Sequence, residues 1–211
     1  AIPERLLDAG LNLFLTQGFN ATGIQQITEA AGVPKGSFYN HFTSKEAFGV
    51  AIVERYAEQM RQSWERMMAT APAEPLAAIR HVFAQMCEHH ARRAAANCPS
   101  GCLVGNFAAE IALSSEGCRQ SLLAAQLAWR QRLAGLITAG QATGEIRADI
   151  DATALSGLTW SAWEGALLRM KVERSAQPLR DSLALMLDHI YPAAHARPGR
   201  APASSAEPTA G

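Results

Sequence analysis

An all-α fold is predicted for this chain of 211 residues by three observations. Apolar side chains recur every three or four residues in successive blocks, the period of a helix with one buried face. The blocks are separated by Gly- and Pro-containing breaks such as Gly18-Phe19-Asn20, Ala71-Pro72-Ala73-Glu74-Pro75 and Asn97-Cys98-Pro99-Ser100-Gly101. Alternating β-branched stretches, which would signal strands, are absent, and no internal repeat is visible. Hydrophobic residues make up 48% of the chain, enough at this length to bury a substantial core in one domain or two small ones.

Ile2 to Gln17 forms the first helix, with Leu6, Leu7, Leu11, Leu13 and Phe14 on a broad apolar face. From Thr22 the spacing tightens. Ile24, Ile27, Ala30 and Ala31 make one stripe on a short amphipathic helix, and Gly32 ends it because glycine accepts the left-handed conformation just past a helix terminus. Pro34 suits the start of the next helix, which carries Lys35, Ser37, Tyr39, Asn40 and His41 outward and spaces Phe38 and Phe42 four apart as a buried pair. Two short helices joined by a tight Gly-containing turn, the second rich in hydrogen-bonding side chains, describe a helix-turn-helix that reads double-stranded DNA. Such short helices are marginal alone, so the first helix braces them.

Ser44 then caps a long helix, with Glu46 in its first turn and Phe48, Ile52, Tyr56 and Met60 stepping along one face to about residue 70. Further helices are expected from Pro75 to Arg93, Cys102 to Leu113, Glu116 to Ala142, Asp151 to Glu173 and Leu179 to Tyr191. The last twenty residues, from Pro192, hold four prolines with Ala, Ser and Gly and nothing to bury, so they are expected to be disordered. The organisation predicted is a helix-turn-helix domain over residues 1–46, a helical domain over 47–191 and a tail over 192–211.

Here the chain resembles a known family. Thr22, the Ile27-x-x-Ala30-Ala31-Gly32-Val33 run, Gly36-Ser37-Phe38-Tyr39-x-His41-Phe42 and Lys45 match the amino-terminal signature of the tetracycline-repressor (TetR) family nearly position for position. The resemblance covers about the first fifty residues. It implies a dimeric transcriptional regulator with a divergent carboxy-terminal domain that binds a small-molecule effector and dimerises through its last two helices. Leu155, Leu158, Ala162, Ala166, Leu183, Leu187 and Ile190 sit there at core spacing, and burial within one chain would give the same pattern.

Residues 1–46 carry three basic and four acidic side chains, but residues 33–45 contain two lysines and no acid, so the reading surface is cationic. Lys35, Ser37, Tyr39, Asn40 and His41 are the exposed candidates: lysine meets guanine O6 or N7, asparagine favours adenine, and serine and tyrosine more often meet phosphate. By resemblance Thr22, Tyr39, His41 and Lys45 set register on the backbone. Packing between helices is the competing role for Tyr39 and His41. A dimer would read a pseudo-palindrome with half-sites about 34–36 Å apart, or a multiple.

Ser100-Gly101-Cys102-Leu103-Val104-Gly105-Asn106 is the second informative stretch. With Ser100 as cap, Cys102 falls in the first helical turn, where the dipole lowers a thiol pKa and favours reaction with electrophiles. This segment, with WEGALLRMK at Trp163 to Lys171 and Pro178-Leu179, resembles a TetR subgroup that includes the N-ethylmaleimide-reductase repressor and the acrylate-responsive repressor. That likeness implies Cys102 as a sensor thiol and Lys171 as a cation that stabilises its thiolate. A small buried Cys102 and a solvated Lys171 would fit the pattern equally. Met86, Leu103, Phe107, Trp129, Trp160 and Trp163 are candidates for lining an effector pocket between helices, with plain core the leading role for any one tryptophan, and Glu164 and Arg130 are either polar anchors there or solvated.

Cys87, His89, His90, Cys98 and Cys102 cluster within sixteen residues, but their spacing fits no standard zinc pattern, and adjacent histidines point about 100° apart on a helix. No metal is therefore expected. Cys118 is assigned to packing. Cys102 with His89 or His90 is the one conceivable catalytic pair, and no catalytic signature accompanies it. Neither an enzyme nor a cofactor is predicted. With no eighteen-residue apolar run and no signal-peptide pattern at the start, a cytoplasmic protein with no membrane partner is expected. Its four cysteines then fit free thiols, metal ligands or redox sensors better than a disulfide framework.

Overall fold

The computed structural model describes residues 1–96 and 101–193. The helices are α1 (Ile2–Gln17), α2 (Ile24–Ala30), α3 (Lys35–Tyr39), α4 (Lys45–Met68), α5 (Pro75–Ala95), α6 (Leu103–Ile111), α7 (Glu116–Ala142), α8 (Ala152–Glu173) and α9 (Gln177–Leu185), which runs on into a π-helical turn over Met186–Ile190. The all-α prediction holds among the described residues. Helices α1 to α3 form a small bundle seated on α4, and α7 packs against α4, α5, α6 and α8 at the centre of the larger unit.

Local chemistry explains most boundaries. The Ser44 hydroxyl accepts from the Ala47 N–H at 3.0 Å, Ser115 from Cys118 at 3.3 Å, and Asp151 from Thr153 and Ala154 at 2.8 and 3.1 Å, each satisfying donors that a helix start leaves orphaned. Gly32 takes φ +63 in the turn between α2 and α3, and the Arg5 guanidinium of α1 donates to its carbonyl at 3.1 Å. The first helix thus braces the turn it was expected to support. Helix α3 ends at Tyr39, short of His41, and the His41 and Phe42 N–H groups both turn back to the Phe38 carbonyl, at 3.0 and 2.9 Å.

Two stretches depart from expectation. Helix α6 starts at Leu103, leaving Cys102 at the cap with extended backbone; Ser100, the expected cap, lies outside the described residues. The chain also stays ordered past Tyr191. Pro192 and Ala193, expected in a loose tail, are buried. Arg147 N–H donates to the Tyr191 carbonyl at 2.9 Å and Ala193 N–H to that of Glu145 at 3.2 Å, while the fully buried Tyr191 hydroxyl meets Thr159 at 2.7 Å. Composition could not reveal this small antiparallel bridge between Ile146 and Pro192. The remaining tail positions, 194–211, lie outside the described residues.

The small bundle and the large unit share one core. Phe14 of α1 packs against Phe19, Phe48 and Phe107 at 5.3, 5.9 and 5.2 Å between ring centroids, and Phe38 of α3 packs against Phe48 at 5.2 Å. Cys118 is fully buried, as assigned, and donates to the Glu46 carbonyl at 3.6 Å, tying α7 to the start of α4. Truncating Phe14 removes a ring shared by both units, and Phe14→Ala is expected to lower stability by about 3–5 kcal/mol, measured by denaturant unfolding at fixed protein concentration.

Candidate DNA-reading surface and effector cleft

On the small bundle, Lys35, Tyr39, Asn40 and His41 are exposed and Ser37 is half-buried, so the proposed reading residues reach solvent together. Tyr39 keeps 55% of its surface accessible while its ring edge meets Phe38 at 5.4 Å. Gly36 sits among them in helical conformation, and a Cβ there would touch nothing in the protein. Glycine costs about 1 kcal/mol relative to alanine inside a helix, so nothing internal accounts for it. Lys45 lies with its ammonium 4.3 Å from the centre of the Phe19 ring; burial lowers its pKa, and Glu46 and Glu110 oppose that. Thr22 differs. It is fully buried, and its hydroxyl donates to the Gly18 carbonyl at 2.7 Å, so it anchors the turn before α2 and its side chain does not face a duplex.

A half-open cleft of about 600 Å³ lies between the end of α1, α6 and α8, within the range of small-molecule sites. Cys102 and Lys171, which the sequence could not place together, both line it, with Gly101, Asn106, Glu110 and Glu164. The Lys171 ammonium donates to Asn106 Oδ1 at 2.6 Å. Gly101 takes φ +66, and a Cβ there would fall 2.6 Å from Lys171 Cε, so a side chain at that position would push the lysine away. Gly105 likewise leaves room for the Glu164 carboxylate, which a Cβ would overlap.

Cys102 does not have the lowered pKa expected of a helix terminus. It is 5% exposed, and burial pushes its thiol up to about 12, with the Glu164 charge adding to the effect. The Gly105 N–H reaches the sulfur and pulls the other way, a remnant of the dipole effect that burial outweighs. Tyr56, one helix away on α4, also donates its hydroxyl to the sulfur, at 3.8 Å. Burial raises the Glu164 pKa as well, opposed by Cys102 and Lys171, and lowers that of Lys171, opposed by Cys102, Glu164 and Glu110.

The six residues expected to line an effector pocket lie elsewhere. Leu103 and Phe107 are fully buried, Trp129, Trp160 and Trp163 nearly so, and Met86 is half-buried beside them; none of the six lines the cleft. The tryptophans form a packed cluster, with Phe83 against Trp129 and Trp163 at 6.0 and 5.6 Å and Trp129 against Trp160 at 5.1 Å. Their helical spacing marked a core. Arg130 lies under Gly157, away from the cleft. Sequence reasoning missed Tyr56, Asn106 and Glu110. Tyr56 and Asn106 were visible only as a core aromatic and the end of the Cys102 segment, and Glu110 looked like any solvated helix charge.

His89 and His90 stack edge to face at 5.5 Å, and burial lowers the pKa of His90 to about 4. Among the described residues no group of three or more His, Cys, Asp or Glu is placed to hold a metal ion; Cys98 lies outside them. Nor is any described helix long and apolar enough to cross a membrane.

A helix-turn-helix bundle fused through a shared core to a helical unit with a small-molecule cleft defines a one-component transcriptional regulator. Residues 6–52 match the family described as bacterial regulatory proteins, tetR family, and residues 75–186 match the tetracyclin repressor-like C-terminal domain. The chain belongs to the TetR family. It is 34% identical to the HTH-type transcriptional repressor DhaR of Mycobacterium sp. strain GP1 across 90% of this chain and 93% of that one. It is 36% identical to the transcriptional regulator AcuR of Cereibacter sphaeroides across 83% and 79%. The crystal structure of Escherichia coli NemR in its reduced form superposes with a TM-score of 0.81 at 28% identity, over 90% of this chain and 96% of that one. The protein is a dimeric DNA-binding regulator that responds to a small molecule, as the amino-terminal signature implied.

The raised thiol pKa sets a pH dependence. Below its pKa the thiolate fraction grows tenfold per pH unit, so alkylation of Cys102 by iodoacetamide, followed by peptide mass mapping, is expected to keep accelerating through pH 10. Glu164→Gln should speed it at any fixed pH. A plateau near pH 9 would reveal an ordinary surface thiol.

Proposed function

We propose that this protein is a cytoplasmic homodimeric repressor, released from a palindromic operator when a small electrophile reacts with Cys102 in the cleft between α1, α6 and α8. The observation that carries this reading is the make-up of that cleft: its walls come both from the DNA-reading bundle, through the end of α1, and from the sensor helices α6 and α8. An occupant therefore touches both units at once. We assign the dimer contact to α8 and α9, where Leu158, Leu168, Val172 and Leu185 stay exposed, while Leu155, Ala166 and Leu187 of the expected stripe are buried within the chain.

An α,β-unsaturated carbonyl fits the chemistry. The Cys102 sulfur bonds to the β-carbon, the carbon–carbon π bond breaks, and the thiol proton ends on the α-carbon, with no oxidant required. The Lys171 ammonium, with one proton on Asn106 and two more to give, polarises the carbonyl oxygen. A buried thiol slows such a reaction. That burial favours a second reading, in which the cleft takes a small polar ligand without covalent change. Either way the occupant must distinguish two states of the dimer, one of which spaces its recognition helices for successive major grooves.

Two experiments test the reading. Fluorescence anisotropy with palindromic fragments from the genomic neighbourhood should show salt-dependent specific binding. Lys45→Ala, at the lysine assigned by resemblance to the backbone, is expected to weaken all sequences about equally and to lower the logarithmic salt slope by about 1. Gly36→Ala should leave thermal stability equal or higher and yet weaken operator binding more than tenfold, because the added methyl meets only the duplex. No palindrome preference at moderate salt would end the regulator reading.

For the effector, intact mass after treatment with methyl vinyl ketone should show one adduct at Cys102 that releases DNA, both lost in Cys102→Ser. Unchanged release in Cys102→Ser would exclude covalent sensing and leave the non-covalent occupant.

A further inference from the structure

Helix α6 spans only nine residues, and its two ends touch different things. Cys102 caps its amino end inside the cleft. Near its carboxy end, Glu110 reaches the bundle: its Oε2 accepts the backbone N–H of Asn20 at 2.8 Å, across ninety positions of sequence. The same carboxylate fills the space beside Gly18, where a Cβ would come within 2.5 Å of Oε1. Gly18 holds φ +87 there, a conformation that leaves the approach open. Glu110 also lies close enough to Lys45 to favour its ammonium form. One carboxylate thus meets the turn that leads into α2 and the neighbourhood of a proposed DNA contact, while itself lining the cleft.

We propose that Glu110 is a positioning residue that holds the turn between α1 and α2 in its DNA-competent place, and that a cleft occupant weakens DNA binding by drawing this carboxylate off the Asn20 N–H. The second half rests on the cleft being the effector site; the first does not. The contact is a charge-assisted hydrogen bond to a backbone donor, short and directional. It is partly open to water, so it moves the placement of the bundle more than global stability. Phe107, one turn earlier on α6, wedges against Phe14 and Phe19 at 5.2 and 5.5 Å, so any shift of α6 at the cleft is felt at the turn that Glu110 holds.

The test compares the full-length parent with Glu110→Ala and Glu110→Gln, each before and after saturation of Cys102 with methyl vinyl ketone. Glutamine keeps an acceptor but loses the charge, which separates the hydrogen bond from the field on Lys45. Without adduct, Glu110→Ala is expected to raise the operator Kd at least fivefold, with melting temperature within a few degrees of the parent, and Glu110→Gln to bind as tightly as the parent or slightly tighter. The adduct should raise the parent's Kd at least tenfold but that of Glu110→Ala less than threefold further, because both changes act on one contact. Parental affinity in unmodified Glu110→Ala, or weakening that multiplies in full with the adduct, would overturn the proposal. Should the adduct leave the parent on DNA while Glu110→Ala remains weakened and Glu110→Gln restored, the cleft reading fails and the positioning role of Glu110 stands.

Discussion

The rings of Phe14, Phe19 and Phe107 meet where α1, the turn after it and α6 converge, and the rest of the molecule depends on that junction. Each tilted or edge-to-face pair adds about 0.5–1.5 kcal/mol beyond the area it buries. The energetic value matters less than the placement. Without this junction the bundle that carries α3 would be joined to the sensor only through α4 and its neighbours, and a change at α6 would have no direct route to the reading residues.

The junction also explains why the cleft sits where it does. Phe107 occupies the inward face of α6, so the other face, with Cys102 at its cap, Asn106 one turn on and Glu110 a turn beyond, is left along the opening. Across from it α8 contributes Glu164 and Lys171, seven residues and about two turns apart on one side of the helix. Glycines at 101 and 105 leave the space that the Lys171 and Glu164 side chains fill beside the start of α6. A thiol, a carboxylate and an ammonium group thereby share a partly dry site, where burial dominates the titration of all three and the Glu164 charge bears on both the thiol and the ammonium.

The reading surface obeys a different logic. Its residues are held by little: Arg5 on the Gly32 carbonyl, Thr22 on the Gly18 carbonyl and the ring of Phe38 in the shared core. Lys35, Asn40 and His41 project from this frame into solvent. Specific contacts need side chains with freedom to meet base edges and phosphates, and a rigid base that sets their spacing. The buried Thr22, bonded to the Gly18 carbonyl, belongs to that base.

What the sequence by itself determined is whatever depends on near neighbours along the chain. The all-α class, the limits of α1, α4, α5, α7 and α8 to within a residue or two, and the helix-turn-helix followed from periodicity, caps and breakers, because a helix is closed by bonds four residues apart. The family followed from residues 22 to 45. Tertiary structure alone decided which groups meet across ninety positions, as Glu110 and the Asn20 N–H do. Helical spacing marks Phe107 and the tryptophans as apolar but cannot say whether they line a void or fill a core, since both use the same residues. A helix cap suggests an acidic thiol at Cys102, and only its burial against Tyr56 and Glu164 reverses the sign. Glu110 carries no local signal, because its partner is a backbone N–H that any residue at position 20 other than proline would supply.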